Sequence, residues 1–255
     1  MSFSVSVKDR IATVSLSSPP LNILTAALQN NLCREIEALN ARDDFNLLLL
    51  QSHLGVFSAG ADVREHQGLD RVSAMLAASR GLIARLLECP VPTLCAVSGT
   101  CLGGALEVAL ACDMLIARND AKLGWPEIAL GCFPPAALVL TAWKLPPFLA
   151  SEMLTGGQSY PAADLAARGA GFLAAPESAF NSRVDAACKQ YTALPRGALV
   201  ETTRLIRPGA AQRFMAQVKS LEDCYLERVL KMRDSAEGVQ AFLGKRPPEF
   251  DHRSP

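Results

Sequence analysis

The sequence predicts an α/β domain that becomes helical toward its C terminus. Three observations carry that reading. Strand-like and helix-like apolar patterns alternate through residues 3–123, helical patterns follow one another afterwards, and no repeat, low-complexity tract or flexible linker breaks the chain. The only shift in composition falls near residue 195.

Each element has its own signal. Phe3–Val7 and Ile11–Leu16, separated by Lys8-Asp9-Arg10, read as an opening hairpin, and Ser18-Pro19-Pro20 as the turn after it. Thr25 is a helix cap, and Leu28, Leu32, Ile36 and Leu39 recur at helical spacing as far as Arg42-Asp43-Asp44. Phe45–Gln51 is a short and nearly continuous apolar run, as in a strand buried on both faces, and it empties into the loop His53–Asp62. A helix over Val72–Glu88, a stop at Cys89-Pro90-Val91-Pro92, a strand at Thr93–Val97, a glycine turn and a helix from Gly103 to Ala111 repeat the pattern. Asp113–Arg118 and Ala121–Leu123 read as further strands. The helices expected beyond them are Ala136–Trp143, Pro147–Leu154, Ala162–Arg168, Ser178–Ala193, Ala198–Ile206 and a long one over Gly209–Met232.

Composition narrows the function. The 255 residues include 25 basic and 25 acidic side chains, and half are hydrophobic. A neutral chain lacks the field expected of a binder of nucleic acid or of an anionic membrane, and one this apolar does not stay disordered. The start of the chain shows no secretory signal, and no apolar run reaches the ~20 residues of a membrane helix. The eight cysteines form no CxxC pair and sit mostly among apolar residues, which fits a reducing compartment and predicts a cytoplasmic protein.

Three segments hold candidate chemistry. In Ala96–Glu107 a strand runs into Gly103-Gly104 and then into a helix. Helix starts leave N–H groups unpaired, and glycine lets a ligand approach them, so the segment reads as an oxyanion cradle. It matches neither a P-loop nor a dinucleotide fingerprint. Glu107 shares the cradle's side of the helix, although glycines for close packing and an exposed first-turn glutamate explain the same spacing. The loop Phe57–Asp62 follows a strand at its carboxyl end, where open α/β sheets bind ligands. There Ala59, Gly60 and Ala61 admit a ligand to the backbone, or the segment is a plain turn with Asp62 as a cap. In Gly124-Trp125-Pro126-Glu127, Pro126 places Glu127 beyond a strand end among Trp125, Ile128 and Phe133, as a surface residue or as a tuned acid.

Other side chains carry weaker claims. Cys101 and Cys112 flank the cradle, but His53, His66 and His252 are distant in sequence, so the cysteines read as core rather than as nucleophiles. No grouping has metal-ligand spacing. His66 reads as a surface residue, or as one that approaches the entrance of the site, and Asp113 as one that orders the next strand.

In combination these segments resemble the crotonase (enoyl-CoA hydratase/isomerase) family over nearly the whole chain. Its A-G-x-D loop appears as Ala59-Gly60-Ala61-Asp62, its G-x-x-x-G-G-x-x-E-x-x-x-x-x-D segment as Gly99 through Gly103-Gly104 to Glu107 and Asp113, and its P-E as Pro126-Glu127. Ala241-Phe242, Lys245-Arg246 and Phe250 are similar to the family's ending. The resemblance implies a spiral of ββα units with a helical C-terminal segment, a core over 1–195 that carries the site, and a segment over 196–255 that closes the site and packs on neighbours in a homotrimer or homohexamer. It implies an acyl-CoA thioester as substrate with no separate cofactor. The Ala61 and Gly104 N–H groups would hold the thioester oxygen, and donors of that kind contribute ~3–4 kcal/mol each to the barrier. Glu107 and Glu127 match the two glutamates of the family's hydratases, Glu107 for water activation and Glu127 for Cα protonation. A double-bond isomerase, or a non-catalytic thioester- or RNA-binding member, is the alternative.

One stretch departs from the family. Where hydratases of short linear substrates have P-G-A-G-G-T-Q-R, this chain has Pro134-Pro135-Ala136-Ala137-Leu138-Val139-Leu140-Thr141. With Trp125 nearby, this is similar to the branch that hydrates cyclic dienoyl-CoA in aromatic degradation, and it predicts an acyl pocket walled by Trp125, Phe133 and Pro135. Lys245 and Arg246 either meet the phosphates of CoA or are solvated.

Overall fold

The computed structural model describes residues 2–253. The hairpin forms as β1 (Phe3–Lys8) and β2 (Ile11–Leu16), paired antiparallel. Thr25 caps α1 (Ala26–Asn40) by accepting the Leu28 N–H, and β3 (Leu47–Ser52) then lies parallel to β2. α2 (Leu69–Leu87), β4 (Thr93–Val97), β5 (Thr100–Leu102), α3 (Gly104–Ala111), β6 (Met114–Arg118) and β7 (Lys122–Gly124) follow. The C-terminal half adds α4 (Pro135–Lys144), α5 (Pro147–Gly156), β8 (Ser159–Pro161), α6 (Ala162–Ala167), β9 (Leu173–Ala175), α7 (Glu177–Thr192), α8 (Arg196–Ile206), α9 (Ala210–Glu227) and α10 (Arg233–Leu243).

The strands make a six-stranded sheet in the order β1-β2-β3-β4-β6-β9, parallel from β2 onward, and a three-stranded sheet β5-β7-β8. The period of two explains the apolar runs. Leu48, Leu50, Cys95 and Val97 face the main core, whereas Leu47, Leu49, Leu94 and Ala96 pack against Val184 and Cys188 of α7.

Four features differ from the sequence expectation. β5, β8 and β9 have only three residues each, too few for an alternation to show, and the expected glycine turn after β4 contains β5. The long helix ends at Glu227, a 3-10 turn covers Val229–Lys231, and α10 is a separate helix. α10 reaches the 126–131 segment because Gly238 carries no side chain, and a Cβ there would stand 2.4 Å from the Leu130 carbonyl oxygen. α9 packs on α2 and α4, fastened by an ion pair between half-buried Arg80 and buried Glu222, which is 3% exposed. The C-terminal helices therefore complete this chain's own core.

Candidate active site

The oxyanion loop is stitched in place on two sides. The Ser58 N–H donates to the Thr100 carbonyl, and the Leu102 N–H donates back to the Ser58 carbonyl. On the other flank the Ala59 N–H donates to Leu21 and the Leu24 N–H to the Gly60 carbonyl, while the Ser58 hydroxyl accepts the Gly60 N–H at 3.0 Å. Buried Asn22 adds bonds to Ser52 and to the Phe57 carbonyl. Ala61 is the next residue, and among the described residues its N–H meets no acceptor. The Gly104 N–H opens α3 and is unpaired in the same way. A Cβ built on Gly104 would lie 4.0 Å from the Ala61 nitrogen, so the two residues are neighbours across the cavity.

Each of the two glycines of the cradle faces a carboxylate. Gly103 has φ +56, and a Cβ on it would stand 2.5 Å from Glu127 Oε1. A Cβ on Gly104 would stand 3.7 Å from Glu107 Oε2. Glu107 is 5% exposed, which removes the exposed first-turn reading, and its Oε1 accepts the Ala137 N–H at 2.8 Å. Desolvation pushes its carboxyl up to about 7, against the lowering effect of the Ala137 and Ala136 N–H groups. Glu127 lies in a short 3-10 helix, Pro126–Leu130, that starts just after β7 ends. Among the described residues its Oε2 is buried without a hydrogen-bond partner, and desolvation, reinforced by the neighbouring Glu107, pushes the carboxyl up to about 8. Two carboxyls that titrate near neutrality beside two free N–H donors are equipped for proton transfer at an enolate.

A cavity of about 40 Å³ joins these groups, lined by Ala61, Gly104, Glu107 and Glu127 together with Phe133, Pro134 and Pro135. Ala59, Gly60, Asp62 and Gly103 support the site without lining this cavity. Asp62 caps the following turn by accepting the Arg64 N–H and pairs with the Arg64 guanidinium, which holds its carboxyl below the usual range.

Of the expected wall, Phe133 and Pro135 line the cavity and Trp125 needs correction. Trp125 is fully buried in the core and does not reach the cavity, because β7 and its flanks sit inside the second sheet. Leu138 is 37% exposed on α4 rather than in the pocket. Lys245 is exposed and outside the cavity lining, and Arg246 is paired with Glu237.

His66 departs from its surface reading. It lines the cavity instead of lying on the surface, and its Nδ1 is 2.9 Å from the Tyr225 hydroxyl. Burial pushes its pKa down, which keeps the imidazole neutral at pH 7. Tyr225 went unremarked in the sequence, although it continues the apolar face of α9 after Phe214 and Val218, which was the available signal. Cys101 is fully buried and desolvation raises its pKa, so it is held as a core thiol. Asp113 accepts the Thr93 N–H and hydroxyl, tying β4 to the start of β6.

With this geometry in view, comparison with known proteins is decisive. The family model for enoyl-CoA hydratase/isomerase matches residues 6–253. The chain belongs to that family. It is 34% identical over 240 residues to cyclohexa-1,5-dienecarbonyl-CoA hydratase of Thauera aromatica, covering 93% of this chain and 92% of that one. It is 30% identical to 2,3-dehydroadipyl-CoA hydratase of Escherichia coli (strain K12), over 98% of both. The crystal structure of an enoyl-CoA hydratase from Mycobacterium avium subsp. paratuberculosis K-10 superposes with a TM-score of 0.87 at 23% identity, covering 98% of each chain. That likeness shows the α/β crotonase fold expected from the motifs. Both curated relatives are named hydratases, which supports hydro-lyase chemistry at the level of the family. Among the described residues no helix is long and apolar enough to cross a membrane.

Proposed function

We propose that the chain hydrates an α,β-unsaturated acyl-CoA thioester, and that its preferred acyl group is a cyclic 1,5-dienoyl unit. The observation that carries the hydratase reading is the placement of Glu107 and Glu127 against consecutive glycines whose neighbouring N–H donors are free. The thioester oxygen accepts from Ala61 and Gly104. Ionised Glu107 takes a proton from water as the oxygen attacks Cβ, the displaced π electrons collect on the thioester oxygen as an enolate, and protonated Glu127 delivers its proton to Cα. Burial raises both carboxyls, to about 7 and about 8, so the pair can hold one proton near neutral pH, which supports a base and an acid acting together. The coenzyme enters as part of the substrate, and no separate cofactor is invoked.

The cyclic preference rests on the printed name of the Thauera relative and on the stiff wall of Phe133, Pro134 and Pro135. A rigid ring loses little conformational freedom on binding there. Side-by-side kcat/KM values for a cyclic 1,5-dienoyl-CoA and crotonyl-CoA test it, with an expected preference of ~2–3 kcal/mol for the ring. A preference for crotonyl-CoA removes the cyclic assignment alone. Double-bond migration without water addition favours the isomerase.

The proposal extends to a cytoplasmic enzyme of aromatic degradation that assembles as a homotrimer or homohexamer and binds neither nucleic acid nor membrane. The balanced charge, the mostly buried free thiols and the exposed Phe148, Leu205 and Ile206 support this reading, and sedimentation of a stable monomer would reject the assembly.

A further inference from the structure

Behind the catalytic cavity lies a second space. The inner cavity has a volume of about 40 Å³. A groove of about 280 Å³ runs between residues 66–69 and α10, with Leu230 and Val239 among its apolar lining and Gln67, Ser235 and Gln240 among its polar lining. His66 is the residue common to the two linings.

The imidazole is held in that position. Its Nδ1 is hydrogen-bonded with the Tyr225 hydroxyl at 2.9 Å, and Tyr225 is 2% exposed with its ring edge-on to Phe133 at 5.4 Å between centroids. Tyr225 follows Glu222 by three residues on α9, so the ion pair with Arg80 fixes the same helix face. The backbone that carries His66 is a four-residue 3-10 turn, Val63–His66, whose start is secured by Asp62. One side of the contact is therefore anchored in the core, and the other stands on a short turn.

Resting on the acyl-CoA reading above, we propose that the His66–Tyr225 pair is a specificity-determining partition: closed, it keeps the acyl group out of the groove, and removing it opens the groove to longer linear chains. Neither residue transfers a proton in this role. The pair acts on the acyl end alone, because the oxyanion donors and both glutamates belong to the inner cavity and not to the lining of the groove.

The test compares wild type, His66→Ala and Tyr225→Phe with crotonyl-CoA and trans-2-decenoyl-CoA. Alongside turnover, the dissociation constants of the unreactive butyryl-CoA and decanoyl-CoA are measured. The kcat/KM ratio of decenoyl to crotonyl substrate should rise at least about tenfold in His66→Ala, in the range that a reshaped apolar pocket supplies. The rise should be smaller in Tyr225→Phe, which keeps the ring packing and removes only the hydrogen bond. The binding ratio of decanoyl-CoA to butyryl-CoA should move in the same direction. Unchanged ratios in both variants would overturn the partition, as would an equal change for every chain length, which would put the groove on the path of the CoA moiety. Wild-type protein that turns over no enoyl-CoA would defeat the hydratase reading instead, and the saturated ligands would still decide the partition.

Discussion

Glu107 Oε1 accepts the backbone N–H of Ala137 at 2.8 Å, so the carboxylate that opens α3 also caps the first turn of α4. The bond gives the 134–141 stretch a second meaning. Ala136 and Ala137 are buried in the core and do not line the cavity. Ala137, which stands where the family's short-chain hydratases have a glycine, and Ala136 beside it present N–H groups to Glu107 that lower its pKa against the pull of desolvation. Helix α4 thus helps keep Glu107 available as a base near neutral pH.

Glu107→Gln and Glu127→Gln should each lower kcat for hydration by ~10²–10⁴, the usual worth of a positioned acid or base. Binding of a saturated acyl-CoA should stay within a few-fold, since an amide keeps the shape of the carboxyl. Steady-state kinetics and calorimetry check both halves. Loss of activity in only one variant would favour single-carboxylate isomerisation.

The pH dependence follows from the same pair. The base form of Glu107 grows as pH rises through about 7, and the acid form of Glu127 is lost as pH rises through about 8, so kcat/KM should form a narrow bell between apparent values that belong to the coupled pair. Stability should slope the other way. Both folded-state pKa values lie above the unfolded carboxyl value of 4.5, so the native state binds the protons more tightly, and stability is lost as pH climbs from about 5 through 8. Denaturant titrations at pH 5 and pH 8 should show that loss, and Glu127→Gln should flatten it.

Gly103→Ala places a methyl group 2.5 Å from Glu127 Oε1 at a residue with φ +56. The carboxylate must move, and the backbone, at φ +56 and ψ −131 outside the left-handed helical region, is strained by ~1–3 kcal/mol. Activity should fall at least about tenfold with only a modest drop in melting temperature, because ångström-scale misplacement of a catalytic group is costly. Near-normal turnover would mean that Glu127 is not held where it acts.

Glu222→Ala removes one partner of the ion pair with Arg80 and leaves a cation on the α2–α9 contact. The expected loss is ~1–2 kcal/mol of stability, between the exposed and the fully buried case because Arg80 reaches solvent, and it is readable as an earlier thermal transition. Glu222→Ala combined with Arg80→Ala should be less destabilised than the sum of the two single variants.

What the sequence determined by itself was local. Thr25 capped its helix where expected, β4 matched Thr93–Val97 to the residue, and the apolar run through Leu47–Leu50 became a strand buried on both faces. Backbone freedom at Gly103-Gly104 and the proline before Glu127 marked the cradle and its second carboxylate. Tertiary structure alone decided the rest. β5, β8 and β9 have three residues each, so they exist only because neighbouring strands supply their hydrogen bonds. Trp125 reads as a substrate contact beside Glu127, but packing assigns its ring to the core. His66 and Tyr225 are 159 residues apart, and no local periodicity encodes their contact. It arises when α9 docks on α2, and the apolar area buried in that docking brings the phenol to the imidazole.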